Sequence, residues 1–557
     1  MISSVIQRRT QKTAITLLIL VTLAVSPWMN IDPINLPKYF VLTVLSMAIL
    51  SFLLVDWRGT IQSLDRKLRW ILSAFTIALF SSFLFSGSSK VEQLFGTFGR
   101  NTGLVTYLCL VILCIAMYAV AELGYIRKVL FTLVSLALVN AVYGFFQFLD
   151  MDPINWNNPY NPIVGTLGNP NFISSFLGIA LVAALTFSFV TSLPVTRRTL
   201  LAIAIGFVAF VIYETDSIQG MVILFIGIIY VAYMRFVYFR VGNRANLITL
   251  ALSLLSGGAV FGGFFNQGPL SKLLFQETGV FRIDYWKAGI NMTLNHPIFG
   301  VGLDSYGDWY RAERTLEATL RRGPEMTSNS AHNVFLDISS NGGIPLLLSY
   351  CALVFITLKS AFQLLRRMRE FEPVRISLIA VYGCYLLQSL ISINQLGLAV
   401  WGWVVSGLII GLNVREKTIA KNENTMHRRR TPAAISASSV IASTVGLAIG
   451  LLIAIPPIHK DNAYRRALEN SDGDKIETLP NGFPKLEHYY TYSLITFSEN
   501  GYEDKATSVA QLASKEFPRN FKAWEMISKS SKSSPEEKDQ ALKVLRELDP
   551  HNPSLLP

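Results

Sequence analysis

Thirteen apolar runs, each near the roughly 20 residues a helix needs to cross a bilayer core, dominate this 557-residue sequence. They lie at about 13–29, 37–55, 70–86, 103–121, 129–149, 172–191, 199–213, 218–234, 246–265, 334–358, 376–393, 396–413 and 433–457. Hydrocarbon offers backbone N–H and C=O groups no partners, so such runs must satisfy them internally, as helices. The expected fold is all-α: a polytopic membrane helix bundle of about 13 spans. Charged residues make up 15% of the chain, against about 25% in a soluble domain. That excludes a soluble globular protein, and the abundance of aliphatic and aromatic residues excludes disorder.

The chain carries 49 Lys and Arg against 37 Asp and Glu, a net +12. In a soluble protein this would suggest a nucleic-acid partner, but position decides otherwise. With a cytoplasmic N-terminus, the inward loops hold 25 basic and 7 acidic residues, and every one is net basic. That is the positive-inside pattern, and no nucleic-acid partner is expected. An odd number of spans places the C-terminal tail outside the membrane. The first run has the basic flank of a signal peptide, Arg8, Arg9 and Lys12. A second run follows at once without a small-residue cleavage site, so it reads as a retained span. Cys109, Cys114, Cys351 and Cys384 all sit in apolar runs, where they act as small buried residues rather than as disulfide or metal partners.

The chain divides into a transmembrane domain, 1–458, and a polar helical domain, 459–557. In the latter, Phe517-Pro518-Arg519-Asn520 recurs as Asp549-Pro550-His551-Asn552. The 32-residue offset is close to the 34 of tetratricopeptide helix pairs, so a small tetratricopeptide-like domain is predicted. Between spans nine and ten, an outer loop at about 266–332 is long enough to hold chemistry. Within it, Phe281, Tyr285, Trp286 and Ile290 recur at helical spacing, which predicts an interfacial amphipathic helix over 280–294.

No nucleophile elbow, phosphate loop, zinc spacing or dinucleotide fingerprint is present, and no metal or cofactor is expected. Four groupings at outer span ends merit attention. Arg282 lies on the amphipathic helix, where a guanidinium can fork onto phosphate oxygens or merely pair with lipid headgroups or Asp284. His332-Asn333 opens the tenth span, with Asp337, Asn341, Gly342, Gly343 and Pro345 in its next turns. An imidazole there can take a proton from a hydroxyl, Asn333 can orient a sugar or the ring, and the polar residues imply a cavity-facing helix. Asn169 and Asn171, in Gly168-Asn169-Pro170-Asn171, either bind glycan or cap the sixth span. Arg100 stands at the mouth of the fourth, as a phosphate contact or an interfacial anchor.

Taken in order, Arg282 with Trp286, Asn295-His296-Pro297 running into Gly300-Val301-Gly302, and Ala331-His332-Asn333 ahead of Asn341-Gly342-Gly343-Ile344-Pro345 resemble the signature of the O-antigen ligase and polymerase superfamily. Gly168-Asn169-Pro170-Asn171 fits its upstream motif, and the resemblance extends over roughly residues 90–413. It implies a bacterial inner-membrane glycosyltransferase of the C type (GT-C-like), independent of metal. Such an enzyme moves a glycan from an undecaprenyl-diphosphate carrier to a glycan, lipid or protein acceptor at the outer face. By resemblance, His332 is the base for the acceptor hydroxyl and Arg282 holds the diphosphate.

In one respect the chain departs from the family. Where the family often has Ser-Arg-Gly, this sequence reads Asp216-Ser217-Ile218-Gln219-Gly220. Gln219 occupies the arginine's place without its charge, and Arg100 or the pair Arg321 and Arg322 are the replacements at hand. The resemblance leaves open a protein O-oligosaccharyltransferase. From other classes remain a polysaccharide or lipid-carrier transporter and a scaffold with a decayed site. The absence of ionisable residues near span centres argues against transport.

Overall fold

The computed structural model describes residues 4–156, 161–189, 194–238, 277–421 and 437–555, with isolated positions between 251 and 271. All regular elements among them are helices. The membrane part comprises α1 (Ser4–Leu23), α2 (Asn35–Val55), α3 (Trp57–Ser63), α4 (Arg66–Phe85), α5 (Lys90–Phe95), α6 (Leu104–Val120), α7 (Leu123–Phe148), α8 (Pro170–Ser188), α9 (Val195–Glu214) and α10 (Ile218–Tyr238). It continues with α11 (Glu277–Asn295), α12 (Tyr306–Glu313), α13 (Leu316–Arg322), α14 (Val334–Arg367), α15 (Pro373–Ile391), α16 (Leu396–Lys421) and α17 (Ala437–Glu469). The tail adds α18 (Gly473–Thr478), α19 (Glu487–Glu499), α20 (Glu503–Glu516), α21 (Phe521–Lys529) and α22 (Pro535–Leu548).

Ten of the described helices are long and apolar enough to cross a membrane. Two expected spans fall short of that description. α6 is apolar but has only 17 residues, and α1 begins earlier than predicted, carries Arg8, Arg9 and Lys12, and stops at Leu23. The chain turns there because Lys38 of α2 reaches back to the terminal carbonyls of Val21, Thr22 and Ala24, at 3.0 to 3.1 Å. A cation on orphan C-terminal carbonyls is the favourable end of a helix dipole. The ninth expected span, 246–265, lies mostly outside the described residues.

Nearly all of the spanning part of α16 is buried, packed against α6, α14 and α15, whereas α9 and α10 bury only about a fifth of theirs completely. Central position follows from composition: Leu396–Ile419 brings Trp401, Trp403 and a run of Val, Leu and Ile into one apolar core. Close helix approach is set by glycines, as at Gly407 and Gly411, where a Cβ would lie 2.4 and 2.3 Å from the Cys114 and Tyr118 carbonyls of α6.

The two ends of the bundle differ. At one, Glu122 meets Gln7 at 2.8 Å and Arg415 at 2.5 Å, and Arg375 meets Glu416 at 2.7 Å. Some of the basic residues assigned to inward loops are thus tied across helices there. The other end gathers the starts of α2, α6, α8, α10, α14 and α16. Asn35 donates to the Gly99 carbonyl at 2.8 Å, Asn333 to the Leu390 carbonyl at 2.9 Å, and Ser217 to Asn171 at 2.8 Å. The tail packs here as well: Asp461 accepts from the Ile31 N–H at 2.6 Å, and Glu92 of α5 from the Glu487 N–H at 2.9 Å.

Tail helices α19 and α20 pair with each other, as do α21 and α22. Their shared core contains Tyr464, Tyr490, Phe497, Ala510 and Ala523. The recurring Asn residues have local work. Asn520 caps α21 through the Ala523 N–H at 2.8 Å, and Asn552 accepts from the Ser554 N–H at 3.1 Å.

Candidate active site

The motifs at 297–302 and 341–345 are two halves of one joint. Pro345 has no N–H, and its ring displaces the carbonyl four residues earlier, that of Asn341. That carbonyl is taken up by the Gly302 N–H and the Ser82 hydroxyl, both at 3.1 Å. The Val301 N–H reaches the Ser340 carbonyl at 2.8 Å, and the Ile344 N–H reaches that of Pro297 at 2.7 Å. α14 breaks at Gly343, whose φ of +78° is open to glycine. A Cβ at Gly343 would lie 2.4 Å from the Ile298 carbonyl oxygen, so the loop seats against bare backbone.

This joint delivers Asp304, which winds the loop carrying Arg100. Its carboxylate accepts from the Thr97 N–H at 2.8 Å, the Thr102 N–H at 3.0 Å and the Thr102 hydroxyl at 2.8 Å. Arg100 is thereby buried and donates to Asn329. Asp337, on the first turns of α14, does similar work for the preceding segment. It accepts from the Ala331 N–H at 2.7 Å and the Ser330 hydroxyl at 3.1 Å, while Ser330 Oγ accepts from the His332 N–H at 2.9 Å.

The result is a left-handed His332, φ +53°, immediately before the cap. Asn101 and Asp304 have the same sign of φ, which Asn and Asp adopt more readily than other residues; for His332 the cost is on the order of 1–2 kcal/mol. Three such residues around one site are held there by the carboxylate and hydroxyl bonds just described.

α11 forms as the amphipathic spacing predicts and is not among the ten membrane-length helices. It supplies Arg282, buried to 8% exposure, and Tyr285, whose ring stacks on His332 with centroids 5.2 Å apart. Asp284 does not pair with Arg282, as one reading of the sequence allowed. Residues two apart point to different sides of a helix, and Asp284 instead binds Arg321 at 2.9 and 3.0 Å. Arg322 donates to the Tyr285 hydroxyl and lies 4.1 Å over the Phe281 ring.

The charges that reach His332 are those of Arg100, Arg282 and Arg322. Burial, reinforced by these three cations, pushes its imidazole down to about 3, so it is neutral near pH 7. Burial lowers Arg282 to about 10, which leaves it charged. Arg100 is also lowered by burial, against the pull of Asp337 and Asp304. A small polar pocket lies close by in the chain, lined by Arg100, Asp304, Asn329, Ser330, Asp337 and Asn341; Ser330 stands two residues before His332, while His332, Arg282 and Arg322 are not part of its lining. A neutral base, neighbouring cations and a polar cavity can accept a proton and hold an anion.

The remaining sequence-selected residues are placed differently. Asn333 caps α14 through the Phe335 and Leu336 N–H groups at 3.0 and 3.2 Å, and its amide nitrogen is tied to Leu390. Asn169 caps α8 through the Asn171 N–H at 2.9 Å. Asn171 accepts from Ser217, two residues before Gln219, so these three motif residues share one helix junction. Gln219 is 1% exposed, and neither of its amide atoms has a partner among the described residues.

Sequence reasoning assigned no role to Asp304 or Tyr285. For Asp304 the available signal was an acidic residue closing the Gly300-Val301-Gly302 motif. Tyr285, one helical turn beyond Arg282, was visible only as part of an apolar stripe.

Fold and site define a multi-pass, all-helical membrane protein with a polar, cationic site at one end of its bundle. Residues 180–351 match the family model described as O-antigen ligase, which supports the O-antigen ligase/polymerase superfamily. The role so supported is membrane glycan transfer in surface polysaccharide assembly. The matched segment is shorter than the motif resemblance. It includes Gln219, Arg282 and His332 but not Arg100, Asn169 or Asn171. A search of curated proteins finds no match.

Proposed function

We propose that the protein transfers a glycan from an undecaprenyl-diphosphate carrier to an acceptor hydroxyl at the outer face of the bacterial inner membrane, without a metal ion. The observation that carries this reading is His332, stacked on Tyr285 of the helix that bears Arg282, with Arg322 on the Tyr285 hydroxyl and Arg100 lining the polar pocket at Ser330 and Asp337. His332 takes the proton as the acceptor oxygen bonds to the anomeric carbon. The bond from that carbon to the diphosphate oxygen breaks, and its electron pair leaves with the carrier. Arg282 and Arg100 hold the charge that develops there, the part played elsewhere by a divalent cation. Arg100 and Arg322 supply the positive charge that Gln219 lacks. Arg321 is already paired with Asp284.

Asn171 and Gln219 belong to the glycan-binding part of the same end, Gln219 lying buried just beneath its surface, with Asn169 and Asn333 fixing helix starts at that end. Acceptors in keeping with this reading are a growing polysaccharide, a lipid or a protein side chain.

The direct test is transfer from a purified undecaprenyl-diphosphate glycan by the full chain in proteoliposomes containing EDTA. Full activity with EDTA and its loss in His332→Ala are the expected results. EDTA-sensitive transfer overturns the metal-free step, and an active His332→Ala overturns the site. Because His332 is held well below its ordinary range, kcat/KM should stay level as pH falls from 7 to about 5. Its base form persists throughout that interval.

A further inference from the structure

The strongest link between the tail and the site runs through one carboxylate. Asp549 has no exposed surface and follows directly on the end of α22. It accepts from Arg314 at 2.6 and 2.7 Å and from Arg311 at 3.0 Å, a charge-assisted fork with almost no solvent around it. The same guanidinium groups turn to the loop beyond α13. Arg311 binds the Pro324 carbonyl at 2.6 Å, and Arg314 binds those of Pro324 and Met326 at 3.0 Å each. Phe521 of the tail covers Arg311 at 4.0 Å.

Residues 311–326 are thus gathered into a ring whose orienting centre belongs to the tail. That ring presents Arg321 to Asp284 and Arg322 to Tyr285, consecutive residues on the helix bearing Arg282.

We infer that Asp549 is a positioning residue for the transfer site: by holding Arg311 and Arg314 it keeps Arg322 against Tyr285, and through them orients His332 and α11. The tail is in this respect a part of the active site rather than only a recruiting arm. The inference rests on the proposed role of His332 as base. Tyr285 from α11 stacks on that imidazole, and the charges that reach it are Arg282 from α11, Arg322 from α13 and Arg100 from the loop before α6; Asp337 binds the Ser330 hydroxyl and the Ala331 N–H just ahead of it. Withdrawal of Arg322 removes one of three cations, so His332 should hold its proton to higher pH.

The test compares wild type, Asp549→Asn, Arg314→Lys and Arg322→Ala as full chains in proteoliposomes. Arg314→Lys keeps the charge and loses the fork, and serves if Asp549→Asn does not accumulate. Two readouts are taken: transfer from purified undecaprenyl-diphosphate glycan, and the pH dependence of diethylpyrocarbonate modification at His332, mapped by peptide mass spectrometry. Expected are a kcat lower by on the order of a hundredfold, as for misplacement of about 1 Å, and a donor KM within a few-fold of wild type. In all three variants the His332 titration should move upward, because a cation that disfavours its protonation is withdrawn.

A tail that merely stabilises the fold would lower the yield or melting temperature and leave that titration where it is in wild type. An unshifted titration in Asp549→Asn or Arg314→Lys overturns the inference, as does one in Arg322→Ala. Failure of the underlying reading shows separately, as transfer that persists in His332→Ala.

Discussion

Two polar junctions stand at the same end of the bundle and are built from opposite materials. Around His332, the charges of three arginines, Arg100, Arg282 and Arg322, reach a neutral imidazole. At the starts of α8 and α10, Asn169, Asn171, Ser217 and Gln219 carry no charge at all. A cationic pocket stabilises charge that grows during reaction, and so acts on rate. Neutral amides hydrogen-bond a sugar equally before and during reaction, and so act on affinity. The largest expected effect follows from the first pocket. His332→Ala should lower kcat by roughly a hundred- to ten-thousandfold, and Arg282→Ala by a hundred- to a thousandfold, each with little change in donor KM. Steady-state transfer assays check both. A variant whose loss lies entirely in KM would break the division.

Arg100→Ala should come next, at roughly tenfold or more in kcat, because Arg100 shares the charge with Arg282 and Arg322. Asp304→Asn should reproduce much of that loss. The Asp304 carboxylate accepts three hydrogen bonds from the loop that carries Arg100, and an amide oxygen is a weaker acceptor. If Asp304→Asn left kcat untouched while Arg100→Ala reduced it, the loop would owe its shape to something else. On the neutral side, Gln219→Leu should raise donor KM up to about tenfold with kcat nearly constant, the worth of one or two hydrogen bonds to a neutral partner. An unchanged KM together with a raised melting temperature would instead show that the buried amide meets no substrate.

The neutral and cationic junctions were not equally legible from the sequence. Helix positions followed from apolar length, and the amphipathic α11 from its spacing, because both are local patterns. Arg282, His332 and Arg100 stood out as polar residues at span ends. What lies between them did not. That Arg321 turns to Asp284 while Arg322 turns to Tyr285 depends on a ring closed from residue 549, over 200 positions away. Pro345 announced a helix break, but the use of that break, to receive the 297–302 loop, needs both segments in space. Lys38 read as part of an apolar run and is instead the donor that ends α1. The earlier end of the first helix has the same origin: apolarity continues beyond Leu23, but the hydrogen bonds of Lys38 end the helix there.

The smallest expected effect sharpens the comparison with a third junction, of opposite sign. Glu92, Asp308 and Glu487 bring carboxylate oxygens within 4.8 Å of one another where α5, α12 and the tail meet. Arg519, seated 3.5 Å over the Trp309 ring, is the cation beside Asp308. Burial, then mutual repulsion, raises Glu92 to about 8 and Glu487 well above its ordinary range. Burial raises Asp308 to about 6 against the pull of Arg519. An acid whose pKa is higher in the docked than in the undocked state favours docking while it is protonated. That contribution is complete below about pH 4.5 and is lost as pH rises through 8. Tail docking should accordingly be firmest near pH 5 and weaken toward pH 8.5, as followed by limited proteolysis of the linker into α18 in nanodiscs. Glu92→Gln should flatten the dependence, because it removes the repulsion and keeps an acceptor for the Glu487 N–H. The Asp549 contact, already balanced by two arginines, should hold the tail in place throughout. A tail that instead came free above pH 8 would show that the acidic junction governs docking and that the buried Arg–Asp fork is subordinate to it.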